Sequence, residues 1–219
     1  MIRLHHCHQT RSMRTLWLLN ELEVEFEIVI HPFVQTLRTD EYLAVHPVGR
    51  VPSLELDGEV IWETGAITQV LCERFAQAGL GRAVDDVDRV DWLIWVHFAE
   101  TISQHVAALT QQHIMLYEDS MRSPVVTKLE AKRLEKCYAA IEARLEGRQF
   151  LLTSGFSAAD ISVGQAIYMA RHFARLADFP ELQVWYDRIT ARPGFQMSLP
   201  PEGTEGLYDK AFYEPWTGS

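Results

Sequence analysis

The spacing of apolar positions divides the chain into two unlike parts. Residues 1–6 alternate weakly through Ile2, Leu4 and His6, which predicts a short strand. Between Ser12 and Glu23, Leu16, Leu19 and Leu22 recur at helical spacing. Glu25 to Ile30 alternates strictly, with Phe26, Ile28 and Ile30 on one face, so a half-buried strand is expected there, broken by His31-Pro32. A short helix follows around Asp40–Val45. The apolar-rich runs Val51–Leu56 and Glu59–Trp62 flank Asp57-Gly58, a hairpin signal because Gly adopts the positive φ of a tight turn. Pro52 lacks an N–H, so it suits the first residue of an edge strand and is a candidate for a cis bond. Thr64 then opens a helical pattern of Ala66, Ile67, Val70, Leu71 and Phe75.

Ala78-Gly79-Leu80-Gly81-Arg82 is the one Gly-containing hinge between two helical patterns, and it separates an expected domain of residues 1–78 from one of residues 86–219. Everything from Asp86 onward reads as helix. Trp92 to Val96 is apolar all round, as in a helix buried on most sides. Ser123-Pro124 reads as an N-cap with Pro at the first helical position. Its helix runs through Leu134, Tyr138, Ile141 and Leu145 and stops at Gly147. Ser157 and Asp160 form a near capping box at the head of the apolar run Ile161–Phe173. A last pattern starts near Pro180, with Leu182, Trp185 and Ile189 on one face, and breaks at Arg192-Pro193-Gly194. The tail Pro200–Ser219 is turn-rich yet keeps Leu207, Tyr208, Phe212, Tyr213 and Trp216, so it is expected to pack on something.

Composition narrows the function classes. A chain of 219 residues with 47% hydrophobic and 23% charged content is ordinary globular protein. No run approaches the roughly 18 apolar residues of a membrane span, and MIRLHHCHQT has no signal-peptide core, so a cytoplasmic protein with no membrane partner is expected. A formal charge of −10 argues against nucleic-acid binding and requires a local basic patch for any anionic ligand. Arg11, Arg14, Arg38 and Arg50 are the nearby candidates. Three Cys make no disulfide framework; Cys72 and Cys137 fall on helical patterns and read as core. Three His and one Cys within His5–His8 would be split between two strand faces. No second cluster supplies further ligands, so no metal is expected.

The run Val51-Pro52-Ser53-Leu54, the Gly turn and Glu63-Thr64-Gly65-Ala66-Ile67 resemble the thioredoxin-like half of a cytosolic glutathione transferase. The order strand, helix, strand, helix, hairpin, helix agrees, and Phe156 to Ile161 is similar to that family's folding motif at the head of a buried helix. The resemblance spans roughly Met1 to Phe195. It implies an N-terminal thioredoxin-like α/β domain followed by an all-α domain. It further implies conjugation of reduced glutathione to a small apolar electrophile, with glutathione as co-substrate, no other cofactor, and a homodimer. Val51 and Pro52 would hold the cysteinyl backbone and Glu63 and Thr64 the γ-glutamyl end, with Arg50 alongside. Trp95, Phe98 and Tyr117, with the tail aromatics, are candidates for the electrophile pocket.

The turn His5 to Arg14 is the densest cluster of reactive types. In the resembled family one residue there stabilises the thiolate. Counting back from the helix end puts the Ser-type position on Thr10 and the Cys-type position on Arg11; strand alignment puts the Tyr-type position on His6. Thr10 is therefore the first hydroxyl candidate and Ser12 the next, though either could serve only as the helix N-cap. Lowering a thiol by about 2 pK units needs about 2.7 kcal/mol. One hydroxyl bond to an anion supplies about 1.5–3 kcal/mol, and a helix N-terminus about 0.3–1 kcal/mol. Cys7 before that helix offers another reading, a glutathione-dependent thiol reductase. A non-catalytic binding protein of the same fold is the remaining alternative.

Overall fold

Asp57 and Gly58 both take positive φ, 52° and 93°, so the turn between them matches the twist of the strands it joins. The computed structural model describes residues 1–33, 36–204 and 206–218. Its first half runs β1 (Ile2–His6), α1 (Ser12–Glu21), β2 (Glu27–Ile30), α2 (Asp40–Val45), β3 (Ser53–Leu56), β4 (Glu59–Trp62) and α3 (Thr64–Arg74). The four strands lie in the order β2-β1-β3-β4, with β1 and β2 parallel and the other pairs antiparallel. This is the thioredoxin-like arrangement that the element order implied.

Two local expectations are corrected. β2 is shorter than the alternation predicted, and Ile28 and Ile30 are exposed rather than half-buried. It pairs only with β1, so its outer side has no neighbouring strand and its apolar face is only thinly covered. Pro52 does not lie on an edge strand, because β3 is interior, between β1 and β4. The ladder begins one residue later, at Ser53, so the missing N–H of Pro52 costs the sheet no bond. The Val51-Pro52 peptide is cis.

The second half is helical: α4 (Arg89–Thr110), α5 (Pro124–Leu145), α6 (Ala158–Ala170), α7 (Pro180–Thr190) and α8 (Pro193–Ser198). None of the described helices is long and apolar enough to cross a membrane. α4 packs on α5 and α6, while α1 is held between the sheet and the pair α6 and α8. Gly164 makes that last contact possible. A Cβ there would come within 2.5 Å of Ile189 and 3.1 Å of the Trp17 ring, and both of these side chains are fully buried. The core is therefore continuous across both halves.

Register aligns the ends that matter. His5 pairs with Ser53 and Ser53 with Trp62. The C-terminal end of β1, the N-terminal end of β3 and the C-terminal end of β4 thus meet at one rim of the sheet. The segments just beyond them, Cys7–Arg11, Arg50–Pro52 and Glu63–Thr64, leave from that rim.

The capping box at α6 is complete. The Ser157 hydroxyl accepts from the Ala159 N–H, and Asp160 accepts from the Ser157 N–H at 2.9 Å. Asp160 also accepts from the Leu151 N–H and the Trp185 indole, each at 3.0 Å. Burial pushes its carboxyl upward from the usual range against these donors. Asp160→Ala leaves several buried donors without acceptors and should cost about 4 kcal/mol. Asp160→Asn keeps one acceptor oxygen and should cost less. Denaturant unfolding of the two variants checks this ordering.

Candidate active site

The turn between β1 and α1 is built from polar side chains that bond inward. The Thr10 hydroxyl donates to the Cys7 carbonyl at 2.8 Å and lies 2.8 Å from the Ser12 hydroxyl. It also accepts from the N–H of Ser12, the first residue of α1, at 3.3 Å. Ser12 accepts from the Cys7 N–H at 3.1 Å and sits 2.8 Å from His6 Nδ1. Beneath the turn, the Gln165 amide of α6 donates to the Thr10 carbonyl at 3.2 Å. Thr10 keeps a trace of exposure, 8%, whereas Ser12 has none. Of the two candidates, only Thr10 keeps any exposed surface, while its hydroxyl bonds inward.

Arg11 and Arg14 were expected to offer free positive charge, but both are already engaged. Glu100 of α4 accepts from Arg11 Nη1 at 3.1 Å and from Arg14 Nη1, and Arg14 Nη2 donates to the Ser103 hydroxyl at 3.2 Å. Arg14 is fully buried. The Thr64 hydroxyl joins the cluster, donating to Glu100 at 2.6 Å and accepting from Arg14 at 3.2 Å. One carboxylate therefore ties α1, α3 and α4 together. Burial works against the charge on Glu100, but Arg14, Thr64 and Arg11 outweigh it and hold the carboxyl below its ordinary value. Arg38 and Arg50 are exposed, and the Arg50 carbonyl accepts from the Tyr42 hydroxyl at 2.7 Å. Glu63 is exposed, with φ of 75°, immediately before α3.

Cys7 lacks the surroundings of a reactive thiol. It is 4% exposed, and burial pushes its pKa up to about 11. His5 and His6 face different partners: His5 lies 2.9 Å from both His31 and Glu55, and His6 contacts Ser12 and His8. Cys72 is likewise buried, its thiol pushed up to about 12.

The aromatic candidates are not at the turn. Trp95 is a core residue, packed edge-on against Phe98 at 5.3 Å and beneath the Arg144 guanidinium of α5. It precedes the Glu100–Ser103 stretch, the part of α4 that touches α1. Tyr117 is highly exposed in the connection after α4. The C-terminal tail does reach the turn. The Leu207 and Tyr208 N–H groups donate to Gln9 Oε1 at 2.6 and 3.3 Å, and Tyr208 stacks on His172 at 4.3 Å. Further along, the Trp216 carbonyl accepts from the Thr127 hydroxyl. Glu205 and Ser219 of this tail lie outside the described residues. A cavity of about 620 Å³ lined by Cys72, Arg82, Arg89 and Trp92 sits where the two halves join and shares no residue with the turn.

Glu100, Ser103 and Gln9 were not singled out from the sequence. Glu100 carried one usable signal: it is the single acid between Trp92 and Thr110. Gln9 carried none, because its partner lies 198 residues away.

Comparison with known proteins matches this geometry to one group. The family model described as Glutathione S-transferase, N-terminal domain, matches residues 10–74, and Glutathione S-transferase, C-terminal domain, matches residues 109–193. Glutathione S-transferase 3 of Schizosaccharomyces pombe is 24% identical, over 90% of this chain and 86% of its own length. A solved glutathione S-transferase from Xylella fastidiosa superposes with a TM-score of 0.82 at 22% identity, covering 90% of this chain and 97% of that one. A glutathione transferase homolog from Lodderomyces elongisporus, solved with two glutathione molecules per subunit, gives 0.81 at 18% identity, over 90% and 96% of the two chains.

Removing the Glu100 charge strands the buried Arg14 guanidinium, so Glu100→Gln should lower stability by about 3 kcal/mol at neutral pH. A carboxyl held below its ordinary value stabilises the fold above the unfolded-state value of about 4.3 and loses that contribution as pH falls through the folded value. The gap between parent and variant should therefore narrow in acid. Unfolding curves from neutral to acidic pH measure it, and a gap that does not depend on pH contradicts this account of Arg14.

Proposed function

The chain belongs to the glutathione S-transferase family, and we propose that it joins the thiol of reduced glutathione to a small apolar electrophile, with the Thr10 hydroxyl stabilising the thiolate. One observation carries this reading: three segments with different tasks leave a single rim of the sheet. Thr10 lies at the head of α1, Val51-Pro52 precedes β3, and Glu63-Thr64 opens α3. The tripeptide laid across that rim has Val51 and Pro52 for its cysteinyl backbone, with Arg50 alongside, and Glu63 and Thr64 for its γ-glutamyl end. Its sulfur then faces Thr10 and the positive end of α1.

The magnitudes fit. Making the thiolate prevail at neutral pH needs about 2.7 kcal/mol, and a hydroxyl bond to an anion with a helix N-terminus supplies that much. Ser12 supports Thr10 from beneath, and Arg11 adds positive charge moderated by Glu100. Chemistry at Cys7 would need a thiolate where burial opposes one. On the acceptor side, Leu207 and Tyr208 approach the turn through Gln9 and replace Trp95 and Phe98 as the candidate wall of the electrophile pocket.

A homodimer completes the proposal. Val90, Ile94 and His97 recur at helical spacing on α4, and a Cβ at Gly65 would meet His97 at 3.2 Å, so this face adjoins the start of α3. Val60 and Trp62 of edge strand β4, and Val87, Val90 and Ile94 at and before the start of α4, are exposed large apolar residues. A two-fold pairing over α3 and α4 would bury such residues. Sedimentation at micromolar concentration should give a species near twice the 25.1 kDa chain mass. A monomer throughout contradicts the pairing.

Thr10→Val removes the hydroxyl at nearly constant volume. It should raise the pKa of bound glutathione and slow conjugation of an aryl halide by about ten- to a hundredfold, equivalent to about 1.5–3 kcal/mol. Glutathione affinity should change far less, and Cys7→Ser should leave conjugation nearly untouched. Conjugation that survives Thr10→Val and fails with Cys7→Ser would overturn the assignment.

A further inference from the structure

The hydroxyl at the candidate site does not end the hydrogen-bonded chain; it begins one. Thr10 Oγ1 is 2.8 Å from Ser12 Oγ, Ser12 Oγ is 2.8 Å from His6 Nδ1, and His6 Nε2 is 3.3 Å from His8 Nδ1. Ser12 and His6 are fully buried, whereas His8 is only half-buried. Every member has a side chain that can both donate and accept a hydrogen bond. Burial, reinforced by the neighbouring His8, pulls the His6 pKa down to about 3, so its ring is neutral near pH 7 and carries one N–H and one acceptor nitrogen. Burial lowers His8 as well. A buried structural serine needs one partner, and Ser12 already has the Cys7 N–H and carbonyl, at 3.1 Å each. The continuation through both ring nitrogens of His6 toward solvent is more than satisfaction of a polar core requires.

We propose that Thr10, Ser12, His6 and His8 form the path by which the proton of the glutathione thiol leaves the closed site; this rests on the thiolate reading given above. Before transfer, the Thr10 proton turns from the Cys7 carbonyl to Ser12 and the Ser12 proton from that carbonyl to His6 Nδ1, while His6 Nε2–H donates to His8 Nδ1. The sulfur–hydrogen bond breaks and its proton passes to Thr10 Oγ1. Thr10 hands its own proton to Ser12, Ser12 hands its own to His6 Nδ1, and the Nε2 proton of His6 moves to His8 Nδ1. His8 releases its Nε2 proton to water or buffer. One proton leaves, one thiolate remains, and no electron changes hands. Afterwards every donor in the chain points the other way, so the Thr10 O–H is aimed at the sulfur. One rearrangement both removes the proton and sets the bond that stabilises the anion. Thr10 touches the substrate; Ser12, His6 and His8 act through it.

The test is proton release, followed with a pH indicator in weak buffer when the protein is mixed with reduced glutathione, alongside the ultraviolet thiolate band. His8→Ala removes the outer end at a half-buried position. It should leave the equilibrium thiolate content nearly as in the parent and slow proton release by about tenfold or more. Added imidazole should restore the rate, because it replaces the missing outer carrier. Ser12→Ala breaks the chain deeper, so its release should be slow and insensitive to imidazole. Binding of S-methylglutathione, which has no thiol proton, checks that each variant is folded. Should Ser12→Ala fail to fold, His8→Ala with and without imidazole still decides. Parent-like release in His8→Ala overturns the path while leaving the thiolate reading intact. Absence of both proton release and a thiolate band in the parent itself overturns both.

Discussion

A guanidinium buried without a counter-charge is among the most costly things a fold can contain, and Arg14 is buried completely. Its requirement organises the molecule. Arg14 sits on α1, in the first half of the chain, and its charge is met by Glu100 on α4, in the second. The same carboxylate receives Arg11 and Thr64, and Ser103 takes the remaining end of the fork. The start of α1, the start of α3 and the middle of α4 therefore occupy one arrangement relative to each other. Any lateral shift of the helical half would leave Arg14 unpaired, so the ion cluster fixes the register between the halves as a strand ladder fixes it within a sheet.

Around that fixed point the two halves are built differently. The first half contributes backbone: a sheet rim and two helix starts, from which short segments project. The second half contributes side chains to support them. Gln165 holds the Thr10 carbonyl, Gly164 admits Trp17 so that α1 can lie close, and the tail clasps Gln9 through two backbone N–H groups. Asp160 in turn anchors α6, α7 and the Leu151 segment to each other, so the support is itself rigid. The candidate site is preorganised because neither half can move independently of the other.

Electrostatics at the site follow from this economy. The chain carries a net charge of −10, yet the head of α1 keeps a positive character. Glu100 neutralises part of it, and the helix end and the exposed Arg50 retain the rest. His6 of the first strand is neutral because it is buried, and neutrality lets its ring act as donor and acceptor at once. A charged His6 would give an anion more attraction but would lose the acceptor nitrogen on which the chain toward solvent depends.

Much of the fold was legible in the sequence because its signals are local. Alternation around Ile2–His6, the Asp57-Gly58 turn, the Ser123-Pro124 cap and the Ser157–Asp160 box each report backbone geometry within a few residues, and the structure contains all of them. The choice of Thr10 as candidate rests on counting along a single helix, which is likewise local. Local pattern reports nothing about what covers a face: Ile28 and Ile30 alternate as a buried strand would, yet they lie at the sheet edge. Nor does apolar character separate a pocket wall from a core: Trp95 is a core residue beneath Arg144 of α5, with Phe98 packed edge-on against it. Side chains bonded across the chain were decided only by tertiary structure: Arg14 with Glu100, Gln9 with Leu207, Gln165 with Thr10. The sequence by itself determined which segments become strands, turns and helices, since each answers to its own neighbours. The tertiary structure decided which charges are paired and which side chains are buried, because burial and partnership depend on atoms far away along the chain.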